Sequence, residues 1–265
     1  MTTPQSIGDL LKTWRQRRRL SQLELALEAE VSARHLSFLE TGRAQPSREM
    51  ILQLAESLEV PLRERNVMLV AAGFAPMFPE RRLDDPELTA AREVVATILT
   101  GHEPHPALAV DRHWQILAHN RAIPPLLEGV SPALLEPPVN ALRLALHPEG
   151  LAPRIGNFLE WRAHLLSRLH RQLELTADPE LGRLFEELAA YPHQGVSPQR
   201  GTTAAHEPGI AVALHLATSH GPLAFISTTT VFGTPLDVTL AELALETFFP
   251  ADAETAAIMR RLVAG

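Results

Sequence analysis

The segment LEAEVSARHLSFLETGR, residues 27 to 43, is the feature that most constrains the fold of this chain. Its apolar residues recur three and four positions apart on both sides of a polar break at Glu30, which predicts a helix, a tight turn and a second helix. The same spacing runs from Ile7 to Gly73, interrupted by glycines and prolines. We therefore predict an all-α first domain, with helices near residues 6–18, 21–28, 32–41, 47–58 and 62–72.

Glu30 lies where a turn between two helices usually needs a left-handed backbone, the conformation that glycine adopts with least strain. A residue with a side chain holds that conformation at a cost of about 1 kcal/mol. We therefore expect Glu30 to have a positive φ or to force a different turn. A continuous helix through Glu30 would contradict this interpretation.

Composition indicates a globular chain whose charge is unevenly divided. The 265 residues include no cysteine, which excludes disulfides and thiolate metal sites. There is no signal-like segment and no run of about 18 apolar residues, so we expect a soluble cytoplasmic protein that does not enter a membrane. Residues 1–80 carry ten basic and ten acidic residues, and the whole net charge of −7 lies beyond them. This asymmetry predicts two domains with different roles.

The apolar pattern changes after a proline-rich junction near residues 74–87. PALAVDRHWQILAHN, residues 106–120, has two short apolar runs around a polar turn, which predicts a β-hairpin. Residues 120–191 have a helical pattern, residues 209–233 and 238–250 are strand-like, and a last helix is expected at 251–262. We predict a domain at 1–75, a linker and connecting helix at 76–105, and an α+β domain at 106–265, with helices on one face of an antiparallel sheet.

The second helix of the predicted pair carries residues suited to DNA. Ser21 and Ser32 can cap helices and offer backbone N–H groups to phosphate. We expect Leu23, Ala26 and Leu27 to face inward against Leu36 and Leu39. The outward face then carries Ala33, Arg34, Ser37 and Phe38. Such a face fits the major groove, where the Arg34 guanidinium can bind guanine.

The order Leu20-Ser21-Gln22, Leu25-Ala26, Val31-Ser32, Leu36-Ser37, Leu39-Glu40-Thr41-Gly42-Arg43 and Pro46-Ser47 resembles the phage-repressor (XRE-type) helix-turn-helix. The resemblance covers residues 6 to about 72 and implies a regulator that binds double-stranded DNA. It implies phosphate contacts from Gln22, Arg43 and Arg48, base-facing positions at Ala33, Arg34, Ser37 and Phe38, and a structural pair of Arg15 with Glu40. Phe38 could contact a thymine methyl or pack against the fourth helix. Because operators of this class are commonly paired half-sites, we expect a homodimer.

The sequence contains few motifs that indicate a catalytic or metal-binding site. GHEPHP, residues 101–106, holds two histidines and a glutamate, but its prolines prevent the one-turn helical spacing of metalloprotease ligands. No nucleophile elbow, Walker sequence or dinucleotide-binding glycine pattern is present. We expect no enzyme, no metal and no cofactor. His164, Arg168 and His170, on a long amphipathic helix, are interpreted as surface residues.

Four later stretches resemble MmyB-like regulators, whose C-terminal domain is PAS-like: WQILAHNRAIPPLL, NALRLALHPEGLAPRIGNFLEWRAHLLSRLHRQ, DPELGRLFEELAAYP and FISTTTVFGTPLDVTLAELALETFFPAD. With the helix-turn-helix, the resemblance covers residues 6 to 262. It implies a transcription regulator with a small-molecule pocket, and long-chain fatty acids are the associated ligand class. Burial of an alkyl chain among apolar side chains makes such a ligand physically reasonable.

An acidic ligand needs a polar partner for its head group and apolar side chains around its tail. Arg143 is the preferred head-group residue, with His147, Arg154, Asn120, Trp161 and Thr228 as further candidates. Asn120 could instead cap a helix, Thr228 could be a sheet residue and Trp161 a core residue. The tail is expected among Trp114, Ile116, Leu142, Leu146, Phe158, Leu165, Phe225 and Ile226.

Two other functions remain open for the second domain. It could be a protein-interaction or dimerisation module that binds no ligand. It could also be an enzyme joined to a DNA-binding domain, which the lack of a nucleophile, base and metal constellation disfavours.

Overall fold

The computed structural model of the chain describes residues 5–192 and 212–264. Residues up to Arg82 form an N-terminal unit, and residues from Leu83 onward form a C-terminal unit, except that Glu174–Ala177 and Thr234–Ala241 group with the N-terminal unit. Each unit has its own apolar core. The predicted two-domain architecture is confirmed, whereas the boundaries at residues 75 and 105 remain predictions.

The N-terminal unit contains the five helices that the apolar spacing predicts. Serine side chains begin the first four, since the hydroxyls of Ser6, Ser21, Ser32 and Ser47 each accept a backbone N–H from the first turn. The helices are α1 Ile7–Arg17, α2 Gln22–Glu28, α3 Ala33–Glu40, α4 Arg48–Ser57 and α5 Leu62–Ala71.

The turn at Glu30 has the left-handed conformation expected of it, with φ of 51°. The N–H of Val31 donates to the carbonyl of Ala26 at 2.9 Å, and the N–H of Glu30 donates to the carbonyl of Leu27 at 3.3 Å. These two bonds satisfy carbonyls that would otherwise lack partners at the end of α2. Arg19 and Glu59 end α1 and α4 in the same left-handed way.

The inward face of α2 differs from the expected one. Leu23 and Leu27 are 62% and 71% exposed, whereas Leu25, Ala26 and Ala29 are buried in the core. Leucines at positions 20, 23, 25 and 27 fit two helical phases about equally well, so spacing alone did not identify the buried one. The predicted inward positions of Leu23 and Leu27 are therefore wrong.

An ion pair joins α1 to α3 inside the N-terminal unit, as the resemblance implied. The Arg15 Nε donates to Glu40 Oε1 at 2.6 Å, and its Nη2 donates to Oε2 at 2.8 Å. The Gln22 amide also donates to Oε2 at 2.8 Å. Burial pushes the pKa of Glu40 upward, but the hydrogen bonds from Arg15 and Gln22 outweigh it and hold this pKa below its ordinary value.

The described strands of the C-terminal unit form one antiparallel sheet in the order β2-β1-β5-β4-β3. The predicted pairing around residues 106–120 is confirmed, and the strand-like stretch at 209–233 yields a second hairpin, although residues 209–211 lie outside the described ranges. The strands are β1 Ala107–Val110, β2 Ile116–His119, β3 Ala213–Thr218, β4 Gly221–Val231 and β5 Ala244–Pro250.

The expected strand at 238–250 begins later than predicted. Val238–Ala241 forms a short helix, α11, and β5 starts only at Ala244. The Asp237 carboxylate accepts the N–H of Thr239 at 2.8 Å, which favours a helical turn over an extended chain. A side-chain cap therefore overrides the strand preference of Val238 and Thr239.

Helices lie on both faces of the sheet, which corrects the prediction of a single helical face. Leu108 and Val110 of β1 belong to a core formed with α8, α9 and α10, whereas Ala107 and Ala109 pack with Val95 of α6. Alternate side chains of a strand point to opposite faces, so both faces of β1 are covered. The helices are α6 Thr89–Gly101, α7 Pro132–Leu135, α8 Ala141–Leu146, α9 Phe158–Thr176, α10 Pro179–Ala190 and α12 Ala253–Ala264.

Replacing Glu30 by glycine should stabilise the N-terminal unit by about 1 kcal/mol, because glycine removes the left-handed strain. Slower hydrogen exchange of the α2 and α3 amides, measured by mass spectrometry, would show it. Glu28→Gly is the control, since Glu28 is helical and glycine there should cost about 0.5–1 kcal/mol. Equal effects of the two substitutions would contradict the assignment of strain to Glu30.

Replacing Glu40 by leucine should destabilise the N-terminal unit by about 3–5 kcal/mol, because Arg15 would remain buried without a counter-ion. The pKa of Glu40 is lowered on folding, so the pair stabilises the fold above the unfolded-state pKa, near 4.5, and the effect is lost as pH falls through the folded-state pKa. Thermal unfolding from neutral to acidic pH measures both effects.

Glu80→Leu is the matched control, because Glu80 pairs with Arg63 while its own side chain is 55% exposed. We expect a loss of at most about 1 kcal/mol for that variant. A comparable loss in the two variants would mean that the Arg15–Glu40 pair does not stabilise the fold through burial.

Candidate DNA-binding surface and ligand cavity

Two arginines stack on one aromatic ring of α3. The guanidinium of Arg34 lies 5.4 Å from the centroid of the Phe38 ring, and that of Arg43 lies 6.0 Å from it. Both arginines are exposed and Phe38 is half-buried. Cation–π attraction therefore orients two cationic side chains on the face of α3 that was predicted to read bases.

The other predicted DNA residues have mixed surroundings. Ser32 caps α3 by accepting the N–H of His35, and Ala33 is partly buried against the core. Gln22 donates to Glu40, so its amide supports the buried ion pair. Arg48 donates to the carbonyl of Ala75 at 3.2 Å. Ser37 is half-buried on α3.

A cavity of about 110 Å³ lies inside the C-terminal unit, between the sheet and the helices on its larger core. Most of the residues around it are aliphatic or aromatic. They are Pro106, Leu108, Trp114, Ile116, Ile123, Leu126, Leu127, Ala141, Leu142, Leu144, Ala145, Leu151, Ile155, Trp161, Leu165, Arg168, Leu214, Leu216, Phe225, Ser227, Glu246 and Phe248.

Arg168 and Glu246 place an ion pair in the wall of this cavity. Nη2 of Arg168 donates to Oε1 of Glu246 at 2.7 Å, and Nη1 donates to Oε2 at 3.1 Å. The Thr229 hydroxyl donates to the same Oε1 at 2.8 Å. The Glu246 side chain is only 5% exposed and that of Arg168 is 26% exposed. The lining is therefore apolar except for Ser227 and this ion pair, and we call the ion pair the polar end of the cavity.

Trp114 forms a second part of the cavity wall and fixes the position of Arg168. Its ring lies 5.0 Å from the Arg168 guanidinium, and its indole N–H donates to Gln172 at 2.8 Å. The backbone of Trp114 is left-handed, with φ of 65°, which is uncommon for a bulky residue. Contacts at both ends of the ring therefore hold a strained residue in place.

His164 lies one helical turn before Arg168, and its ring stacks on that of Trp161 with centroids 5.3 Å apart. Burial, followed by the positive charge of Arg168, lowers the pKa of His164, although Glu246 and Glu160 oppose the shift. At neutral pH this histidine is therefore uncharged and adds no second cation beside Arg168.

Arg143, the preferred head-group residue, does not line the cavity. Its guanidinium makes two bonds to the Glu187 carboxylate, at 2.8 and 2.7 Å, and its side chain is 42% exposed. His147 lies edge-on against the Tyr191 ring, with centroids 5.0 Å apart. Arg154 donates to the carbonyl of Leu126 at 2.6 Å. These three residues have other partners and do not line the cavity.

Asn120, Thr228 and Phe158 also lie outside the cavity lining. The Asn120 amide bonds to four backbone groups and is almost fully buried, which is a structural role. Thr228 shares a hydrogen bond with Thr247 on β5. Phe158 is buried in the larger core but is not among the lining residues.

The expected tail residues are mostly placed together. Ile226 is 37% exposed because alternation along β4 turns it away from the core that contains Phe225. Leu146 is buried in the core without lining the cavity. Those that line the cavity are Trp114, Ile116, Leu142, Leu165 and Phe225, joined by Trp161 from the head-group candidates.

Sequence reasoning missed the two charged residues of the cavity. Arg168 was interpreted as a surface residue, yet it follows Trp161 by seven positions and Leu165 by three. Those spacings put it on the same face of α9 as the two buried residues. That stripe was the signal that could have identified Arg168, whereas Glu246 depends on strand register, which the sequence did not define.

A family model described as the MmyB-like transcription regulator ligand binding domain matches residues 91–262. The chain belongs to this family. A helix-turn-helix family model matches residues 11–65 of the same MmyB-like regulator. A search of curated proteins found no significant match. The chain is therefore a DNA-binding transcription regulator with a ligand-binding domain, and within the described ranges no helix is long and apolar enough to span a bilayer.

Arg34→Ala should weaken binding of this MmyB-like regulator to its preferred DNA sequence by about 1–3 kcal/mol and relax a guanine preference. Selection from a random DNA library, followed by titration of the selected site, measures both effects. Arg171→Ala is the control, because Arg171 is an exposed arginine on α9 of the other unit. Unchanged affinity and sequence preference in Arg34→Ala would remove Arg34 as a base-reading residue.

Proposed function

We propose that this MmyB-like regulator binds an apolar acid, with a long-chain fatty acid as the expected class, in the cavity of a PAS-like C-terminal unit. The bound acid then modulates the affinity of a homodimer for DNA. The observation that carries the proposal is an apolar cavity with an arginine at one polar end.

The size of the cavity supports an alkyl chain as the occupant. At about 30 Å³ for each water-sized group, 110 Å³ accommodates on the order of four such groups. Burial of each methylene contributes about 0.8 kcal/mol, so about four methylenes would gain about 3 kcal/mol. A longer chain would require the surrounding side chains to move outward.

Arg168 takes the head-group role that was predicted for Arg143. A guanidinium can bind a carboxylate with two parallel hydrogen bonds, and Arg168 is the arginine among the described cavity-lining residues. Trp114 holds this guanidinium at the cavity wall. An acid whose chain enters between Trp161 and Leu165 would bring its carboxylate toward Arg168, since all three residues share one face of α9.

Ligand control of DNA binding requires two states of the regulator that differ in ligand affinity. A ligand shifts DNA affinity only by its own difference in affinity between those states. A homodimer would present two reading helices to paired half-sites, so a change in the spacing of these helices would alter DNA affinity.

Ala145→Phe should abolish binding of saturated fatty acids, because the added ring fills a cavity that Ala145 lines. Ala190→Phe adds the same ring at an exposed position of α10 and is the matched control. Native mass spectrometry for co-purified acids and titration of the Trp114 and Trp161 fluorescence measure binding. Thermal unfolding shows whether the larger side chain destabilises the unit, by about 1–3 kcal/mol for overpacking.

Saturating acid should change the DNA dissociation constant of the wild type and of Ala190→Phe, and leave that of Ala145→Phe unchanged. Acid binding by Ala145→Phe at wild-type affinity would place the chain outside this cavity. Absence of acid binding by the wild type would favour the alternative of an interaction module without a ligand.

A further inference from the structure

We propose that Glu246 competes with the head group of the ligand for Arg168, and so determines which head-group charge the cavity accepts. The proposal rests on the proposed function, because it concerns the same cavity. Beyond that function, we assign to Glu246 the discrimination between anionic and uncharged amphiphiles.

In this ion pair, Glu246 occupies the position beside the Arg168 guanidinium that the carboxylate of an acidic ligand would need. Both carboxylate oxygens of Glu246 accept from Arg168, at 2.7 and 3.1 Å, and both residues line the cavity. A ligand carboxylate that bound the same end of the guanidinium in bidentate fashion would need the same two N–H groups. The ligand and Glu246 therefore cannot both bind this edge of the guanidinium.

Charge makes the competition stronger than a simple exchange of hydrogen-bond acceptors. The charged residues among the described cavity-lining residues are Arg168 and Glu246, so the polar end is neutral as a whole. His164, on the turn of α9 before Arg168, stacks on Trp161, and burial together with the positive charge of Arg168 lowers its pKa. A carboxylate brought to this end would face the Glu246 carboxylate at short range, and like charges in a poorly hydrated site repel strongly.

The surroundings of Glu246 oppose its release into water. Its side chain is 5% exposed, and Thr229 donates a further hydrogen bond to Oε1 at 2.8 Å. Thr229 also accepts from Nη2 of Arg168 at 2.7 Å, so three side chains form one closed network. An acid has to open this network, whereas an alcohol of the same chain length can donate to a Glu246 oxygen and leave the ion pair intact.

Two consequences follow for ligand selection. In the wild type, the Glu246 carboxylate should weaken the binding of a carboxylic acid much more than that of the alkyl alcohol of equal chain length. Removal of the negative charge of Glu246 should therefore tighten acid binding selectively, because the positive charge of Arg168 would then face the ligand without an internal partner of opposite charge.

Glu246→Gln tests the proposal, because glutamine keeps the size of the side chain and one acceptor oxygen while removing the charge. Dissociation constants of a saturated fatty acid and the matching primary alcohol, from tryptophan fluorescence, are compared in the wild type and the variant. We expect acid binding to tighten by about tenfold or more in Glu246→Gln, with a change of less than about threefold for the alcohol.

Glu187→Gln is the matched control, because it removes the partner of Arg143, an ion pair outside the cavity. It should leave both affinities unchanged. Unchanged or weaker acid binding in Glu246→Gln would overturn the proposal while leaving the proposed function in place.

Binding of the alcohol within about threefold of the wild-type affinity also shows that Glu246→Gln has kept its fold. An equal gain in affinity for the acid and the alcohol would contradict competition for the charge of Arg168. If the wild type binds neither compound, both this proposal and the proposed function are wrong.

Discussion

The ion pair between Arg168 and Glu246 connects the longest described helix of the C-terminal unit to a central strand of its sheet. A carboxylate buried to this extent would destabilise the fold strongly if it had no cation beside it. The helix therefore has to place an arginine over β5, and the residues that flank this arginine on α9 then form the other side of the cavity. The position of α9, the position of β5 and the shape of the cavity therefore all depend on the contact between Arg168 and Glu246.

The N-terminal unit contains a chemically similar pair with a different consequence. Arg15 and Glu40 also meet in bidentate fashion and are buried, but a glutamine completes their surroundings. The partners of Arg15 and Glu40 are all side chains or backbone groups of the protein, so this pair affects the stability of the N-terminal unit. The pair in the C-terminal unit borders open space, and the same chemistry there can respond to a small molecule.

The sequence was informative where local interactions decide the structure. Serine caps, apolar spacing and the end of α2 at Glu30 depend on residues within about one helical turn, and those predictions were confirmed. The sequence was less informative where residues far apart in the chain determine the structure. The phase of α2 was misread because two sets of leucines compete for the core. Arg143 was preferred over Arg168 because nothing local reveals that Glu187 engages the first and that the second faces a cavity.

Trp114 adds a mechanical element to the cavity. Its left-handed backbone is held by the Gln172 hydrogen bond and by the Arg168 guanidinium against its ring. A bulky residue keeps such a conformation, at a cost of about 1–3 kcal/mol, only where its surroundings hold it there. Arg168 is one of these surroundings, so a single arginine contributes both to the wall of the cavity and to the backbone conformation between β1 and β2. The hydrogen-bonding partners of Arg168 and the conformation of this turn are therefore linked through the Trp114 ring.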